Sequence, residues 1–189
     1  MRIISGEFRG AVLHLRTGKN TRPLKDRAKE SIFNILTHSK KILFNLEKKK
    51  ILDLYSGTGS FGLECLSRKA FTVFFVEKEL EAINILSKNI NKLNLNNKTQ
   101  IIQGDVLEAV EKKLILKEKF DLIFCDPPFN FSNIYNLITS ILNKKILKKK
   151  GIIILHRHKN SLDKYPNHFK IIEERNYGIS KIIFGYFLF

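Results

Sequence analysis

Cysteine is scarce in this chain of 189 residues: Cys65 and Cys125 lie far apart with no Cys-x-x-Cys spacing. That excludes a disulfide framework and a zinc knuckle, and it points to a reducing compartment. Glycine (10) and proline (4) are too few for a fibrous or disordered chain. No apolar run approaches the roughly 18 residues of a membrane span, and the start, Met1-Arg2-Ile3-Ile4-Ser5-Gly6-Glu7, meets charge too early for a signal peptide. A cytoplasmic location with no membrane partner is expected. Internal repeats and low-complexity linkers are also missing. Acidic side chains are short in number, 18 against 34 basic ones, for a net charge of +16.

What is present describes an ordinary globular protein, 43% hydrophobic and 28% charged. The length fits one domain with a small appendage, enough to bury a full core. The charge favours a polyanionic partner. Lysine is spread throughout, so arginine is the more informative cation. Five of eight arginines (Arg2, Arg9, Arg16, Arg22, Arg27) fall in the first 27 residues, where even spreading gives about one. Guanidinium groups grip phosphate at two points, so this arm is a candidate nucleic-acid contact.

Residues 3–15 read as two short strands around a glycine turn, followed by a loop through Thr21-Arg22-Pro23 and a helix from Asp26. From Lys50 onward, strands and helices alternate. Strands are expected at 50–55, 72–77, 100–104, 120–125, 151–156, 169–174 and 181–188, with helices near 60–69, 79–94, 106–114 and 132–145. The early strands are continuously apolar, as in a parallel sheet covered on both faces. The last two follow each other around Asn176-Tyr177-Gly178 and suggest an antiparallel hairpin at one edge. The lysines at 144–150 read as the C-terminus of a helix, where cations suit the dipole.

Gly57-Thr58-Gly59-Ser60-Phe61-Gly62 follows the first sheet strand and opens a helix, and Glu77 ends the next strand twenty residues after Gly57. That pattern alone meets the dinucleotide fingerprint. Asp53, on the strand feeding the loop, separates the cofactors. A carboxylate there repels a pyrophosphate and attracts a ligand carrying ammonium and sulfonium groups, which favours S-adenosylmethionine over NAD. The competing reading of Asp53 is a brace for local backbone amides. Asp53, Ser56, Gly57, Gly59, Glu77 and Asp105 are the candidate cofactor contacts, with Glu77 suited to ribose hydroxyls and Asp105 to the adenine. Asp105 could equally cap the helix that follows it.

The fourth strand ends in Cys125-Asp126-Pro127-Pro128-Phe129, at the carboxyl edge where open α/β sheets hold ligands. Two prolines stop the ladder and leave a rigid loop. Asp126 and the Pro127 carbonyl can accept the two hydrogens of an exocyclic amine while Phe129 stacks on its ring. Asp126, Pro127 and Phe129 are thus the candidate catalytic residues, and catalysis is mainly positioning. No metal is required. His156 and His158 stand two apart at a strand end, but no third ligand is near in sequence.

These motifs resemble the RsmD family of class I S-adenosylmethionine-dependent methyltransferases. The resemblance rests on Arg2-Ile-Ile-Ser-Gly-Glu-Phe-Arg-Gly10, Thr21-Arg-Pro23, Asp26-Arg-Ala-Lys-Glu-Ser-Ile-Phe-Asn34, the Asp53-to-Gly62 loop, Glu77, Asp105 and Asp126-Pro-Pro-Phe129. It implies a Rossmann-like seven-stranded, mostly parallel, doubly wound sheet, preceded by an N-terminal β-hairpin and helix. It also implies methylation of the exocyclic N2 of a guanine in 16S ribosomal RNA, guanine 966, on an assembled or assembling small ribosomal subunit. The family leads one to expect an acidic residue after the fifth strand, where His156-Arg157-His158 stands. The expected division is residues 1–45 as a basic RNA-binding extension and 46–189 as the catalytic domain, working as a monomer. The rival readings are a DNA adenine-N6 methyltransferase, an NAD-dependent oxidoreductase and a non-catalytic ribosome-assembly binder.

Overall fold

A computed structural model describes residues 1–16 and 26–188, so Arg22 and the Thr21-Arg22-Pro23 stretch lie outside the described residues. The helices are α1 (Asp26–His38), α2 (Ser60–Ser67), α3 (Leu80–Lys92), α4 (Val106–Ala109), α5 (Lys113–Leu116) and α6 (Ile134–Asn143). The strands are β1 (Lys50–Leu54), β2 (Thr72–Glu77), β3 (Thr99–Gln103), β4 (Phe120–Cys125), β5 (Leu147–His158), β6 (Phe169–Tyr177) and β7 (Ser180–Phe187). They form one seven-stranded sheet in the order β3-β2-β1-β4-β5-β7-β6. The first five strands run parallel, and β7 is antiparallel to both β5 and β6.

Because side chains alternate across a strand, the sheet feeds two cores. Ile51, Val73, Phe75, Leu122, Phe124 and Ile154 meet α1, α2 and α3 on one face. Leu52, Phe74, Val76, Ile123, Cys125 and Ile153 meet α4, α5 and α6 on the other. On the first face, Phe33 of α1 stacks on Phe61 of α2 at 5.2 Å, and Phe61 stacks on Phe124 of β4 at 3.9 Å. Each ring pair is worth about 0.5–1.5 kcal/mol beyond its buried area. Gly62 lets α2 lie this close: a Cβ there would sit 2.3 Å from the Phe75 ring. Chain order reverses between β1 and β4, and the crevice beyond their carboxyl ends is where such sheets hold ligands. No helix among the described residues is long and apolar enough to cross a membrane.

Three expectations need correction. Residues 1–13 form a hairpin held by Ile3 N–H to Ala11 O (3.0 Å), Gly10 N–H to Ile3 O (2.9 Å) and Leu13 N–H to Met1 O (3.0 Å). Only one antiparallel bridge, Arg2 to Val12, is regular enough to count as sheet. The helix expected over 106–114 is two short ones, because the charged stretch Glu111-Lys112-Lys113 interrupts the apolar spacing. Lys148, Lys149 and Lys150 do not end a helix but lie in β5. Lys148 Nζ reaches the buried Asp121 at 2.8 Å, a pairing that sequence spacing does not reveal.

Candidate active site

The glycine loop leaves β1 through three residues with positive φ. Tyr55 has φ +58°, Gly57 +53° and Gly59 +85°, conformations that glycine adopts without cost and tyrosine does not. The loop is held by carboxylates that accept from backbone amides. The Gly62 N–H donates to Asp53 Oδ2 at 2.9 Å. The Gly57 N–H donates to Glu77 Oε2 at 2.8 Å, and Lys78 and Glu79 donate to Glu77 Oε1 at 2.8 and 2.9 Å. Asp105 Oδ1 accepts from Leu107 N–H at 2.8 Å and caps α4. The brace for Asp53 and the cap for Asp105, both weighed from sequence, are therefore present. Burial pushes the Asp53 carboxyl well above the usual carboxylate range; the Gly62 amide opposes this, and Asp126 and Glu77 reinforce it.

The acceptor loop leaves β4 beside this one. The Asp126 N–H donates to Leu54 O at 3.3 Å, which ties the start of Asp126-Pro-Pro-Phe129 to the end of β1. Asp126 Oδ1 lies 2.7 Å from Nδ1 of the buried His156, while the Asp126 side chain remains 22% exposed. Phe129 meets His156 and His158 edge-on, with ring centroids 6.1 and 4.9 Å apart. Between the two histidines, the buried Arg157 forks onto Asp163 at 2.8 and 3.0 Å and donates to Phe131 O at 2.5 Å and Pro128 O at 3.4 Å. The Phe131 N–H donates to Pro128 O at 2.9 Å, so this loop carbonyl is engaged. Beside Phe129 opens a cleft of about 600 Å³, lined also by Tyr135, Arg157, Leu162 and Lys164.

The basic arm is built into the same assembly. Glu64 of α2 is wholly buried and accepts from Ile4 N–H (2.7 Å), Ser5 N–H (3.0 Å) and Arg68 Nε (2.8 Å), with Lys29 Nζ at 3.6 Å. Burial pulls the Lys29 ammonium below its ordinary value, while Glu64 and Asp26 oppose the shift. Asn89 of α3 accepts from His14 N–H at 2.7 Å and donates to Thr58 O at 3.0 Å, joining the arm to the glycine loop. Arg2, Arg9 and Arg27 are exposed, and Arg2 and Arg9 line a cleft of about 260 Å³ with Asp26 and Glu30. Arg16 instead pairs with Glu81 at 2.7 Å.

The residues present fit S-adenosylmethionine. Ser56 Oγ and Tyr55 Oη are buried without a hydrogen-bond partner at the tip of β1, a costly state that a polar ligand relieves. The surrounding acidic side chains, Glu77 and Asp53 with Asp105 beyond them, suit a cation, whose approach favours the charged form of the buried Asp53, and oppose a pyrophosphate. Sequence reasoning missed Glu64 and Asn89, whose partners in the arm lie 59 to 75 residues away, and Asp163, which pairs with Arg157 six residues before it. It noticed His156-Arg157-His158 as a departure from the acidic residue expected there and as a histidine pair without a third ligand, not as partners of the Asp126 loop. No cluster of three or more potential metal ligands occurs among the described residues.

A family model described as Conserved hypothetical protein 95 matches residues 1–186. The chain is 31% identical over 180 residues to Ribosomal RNA small subunit methyltransferase D of Haemophilus influenzae, covering 95% of this chain and 90% of that one. It is 26% identical over 179 residues to the protein of the same name from Escherichia coli, covering 94% and 85%. Among solved structures, yhhF from Escherichia coli matches with a TM-score of 0.83 at 25% identity, over 98% of this chain and 96% of that one. HI0767 from Haemophilus influenzae matches with a TM-score of 0.78 at 28% identity, over 97% and 96%.

Proposed function

The chain belongs to the family described as Conserved hypothetical protein 95, the RsmD family of its motifs, and from that premise we propose that it methylates the exocyclic N2 of a guanine in 16S ribosomal RNA, guanine 966. The coarser statement, a methyltransferase of ribosomal RNA, follows from its relatives. The observation that supports an amine as the acceptor is the hydrogen bond from Asp126 N–H to Leu54 O, which sets the Asp126-Pro-Pro-Phe129 loop directly beside the glycine loop; the names of its relatives support small-subunit ribosomal RNA as the substrate.

S-adenosylmethionine, when bound, supplies an electrophilic methyl on a sulfonium. Asp53, Ser56, Gly57, Gly59, Glu77 and Asp105 are the residues that would hold it. On the acceptor side, Asp126 and the Pro127 carbonyl take the two N–H bonds of the guanine amine, and Phe129 supports the ring. This turns the nitrogen lone pair towards the methyl, and positioning of that kind is worth several orders of magnitude in rate. Transfer leaves the amine nitrogen with a surplus proton, which Asp126 or water would accept. Residues 1–45, with exposed Arg2, Arg9 and Arg27, form the RNA-binding extension, and residues 46–189 the catalytic part.

The test is methyl incorporation from labelled S-adenosylmethionine into naked 16S ribosomal RNA, small subunits and DNA, with mass-spectrometric mapping of the product nucleoside. N2-methylguanine at one position in the RNA or the particle supports the reading. N6-methyladenine in DNA, or no transfer to any of the three, overturns it.

A further inference from the structure

We infer that His156 is a positioning residue for methyl transfer, aligning the Asp126 carboxylate so that it accepts one hydrogen of the target amine. The inference rests on the function proposed above and adds a residue to that site. Its basis is the 2.7 Å contact between His156 Nδ1 and Asp126 Oδ1.

The two halves of the amine acceptor are not fixed equally well. The Pro127 carbonyl belongs to a backbone stiffened by two prolines and needs no further support. The Asp126 carboxylate turns about a terminal torsion that is intrinsically broad and roughly two-fold, so another group must set its plane. An ionised carboxylate only accepts hydrogen bonds, which requires Nδ1 to carry the proton in this pair. The imidazole is itself immobilised. His156 is buried and pairs with Ile182 of β7 in the sheet, and it lies one step past the last parallel pair of β4 and β5, Cys125 with Leu155. The same strand end sets the platform for the ring: His158, two residues on, meets Phe129 edge-on at 4.9 Å. Arg157, between them, fastens the carbonyls of Pro128 and Phe131. Three consecutive side chains of β5 thus set the carboxylate, the aromatic ring and the backbone of the acceptor loop, and of the three only His156 touches a group that receives a substrate hydrogen.

Three variants test this with full-length protein and the RNA substrate: His156→Leu, His156→Asn and His156→Gln. Asn places its amide N–H close to where Nδ1 stood, whereas Gln places it near Nε2. Loss of orientation should lower kcat about 30- to 100-fold in His156→Leu, with KM for RNA and calorimetric Kd for S-adenosylmethionine within about threefold of the parent. His156→Asn should recover kcat to within about fivefold of the parent, and His156→Gln should resemble His156→Leu. An unchanged kcat in His156→Leu, a loss confined to KM, or equal kcat in the Asn and Gln variants overturns the inference. If His156→Leu does not bind cofactor, the Asn and Gln pair decides alone. Absence of transfer by the parent protein would instead count against the function itself.

Discussion

The two sides of the crevice are braced by different means. On the donor side, Asp53, Glu77 and Asp105 accept hydrogen bonds from the amides of Gly62, Gly57, Lys78, Glu79 and Leu107. On the acceptor side, Asp126 faces the side chain of His156, and the loop after it is pinned by the side chain of Arg157. Backbone amides are present whatever the sequence, so the donor side needs only the right carboxylates and glycines. The acceptor side needs specific partner side chains, so its geometry can be altered one residue at a time without rebuilding the loop.

The largest effect separating the two sides should come from Asp126→Ala. We expect kcat to fall about 1,000-fold, within the usual range for loss of a positioned proton acceptor, while calorimetric affinity for S-adenosylmethionine stays within about threefold. A parallel collapse of affinity would mean that the sides are not separately built. Glu77→Ala should do the reverse. Cofactor Kd should rise about 10- to 100-fold, and stability should fall by about 1–3 kcal/mol because three amides lose a charged acceptor; thermal denaturation reads the second effect. A smaller signature belongs to Asp53. Burial keeps its pKa high, so it holds a proton at pH values where an exposed aspartate has lost it. A cationic ligand beside it lowers that pKa, so binding should release a fraction of a proton at pH values above the ordinary carboxylate range. Calorimetry in buffers of different ionisation enthalpy should detect the release in the parent and lose it in Asp53→Asn. The smallest effect, outside the crevice, is expected from Arg2→Ala combined with Arg9→Ala. The slope of log affinity for RNA against log salt should flatten by about 1 to 2, with kcat at saturation unchanged. An unmoved slope would make the two arginines structural.

The glycine loop and its bracing carboxylates were legible in the sequence because they are local: Asp53, Gly57, Gly59 and Gly62 fall within ten residues, and Glu77 ends the adjoining strand. Asp126-Pro127-Pro128-Phe129 was equally legible as a rigid loop. Its supports were not, because His156 and Arg157 act across 26 to 30 residues and come alongside only when β5 pairs with β4. The same limit hid Glu64, which reaches Ile4 across 60 residues. The lysine run was legible only in part: Lys144 caps α6 as its charge suggested, but Lys148 to Lys150 lie in β5, where the register against β4 shifts and Lys148 pairs with Asp121.

Asn89 both accepts from and donates to the backbone of His14, just past the hairpin, and donates to Thr58 O, so one side chain ties the arm to the glycine turn. If RNA lies on the arm as proposed, its position is referred through this one side chain to the loop that would hold the methyl donor.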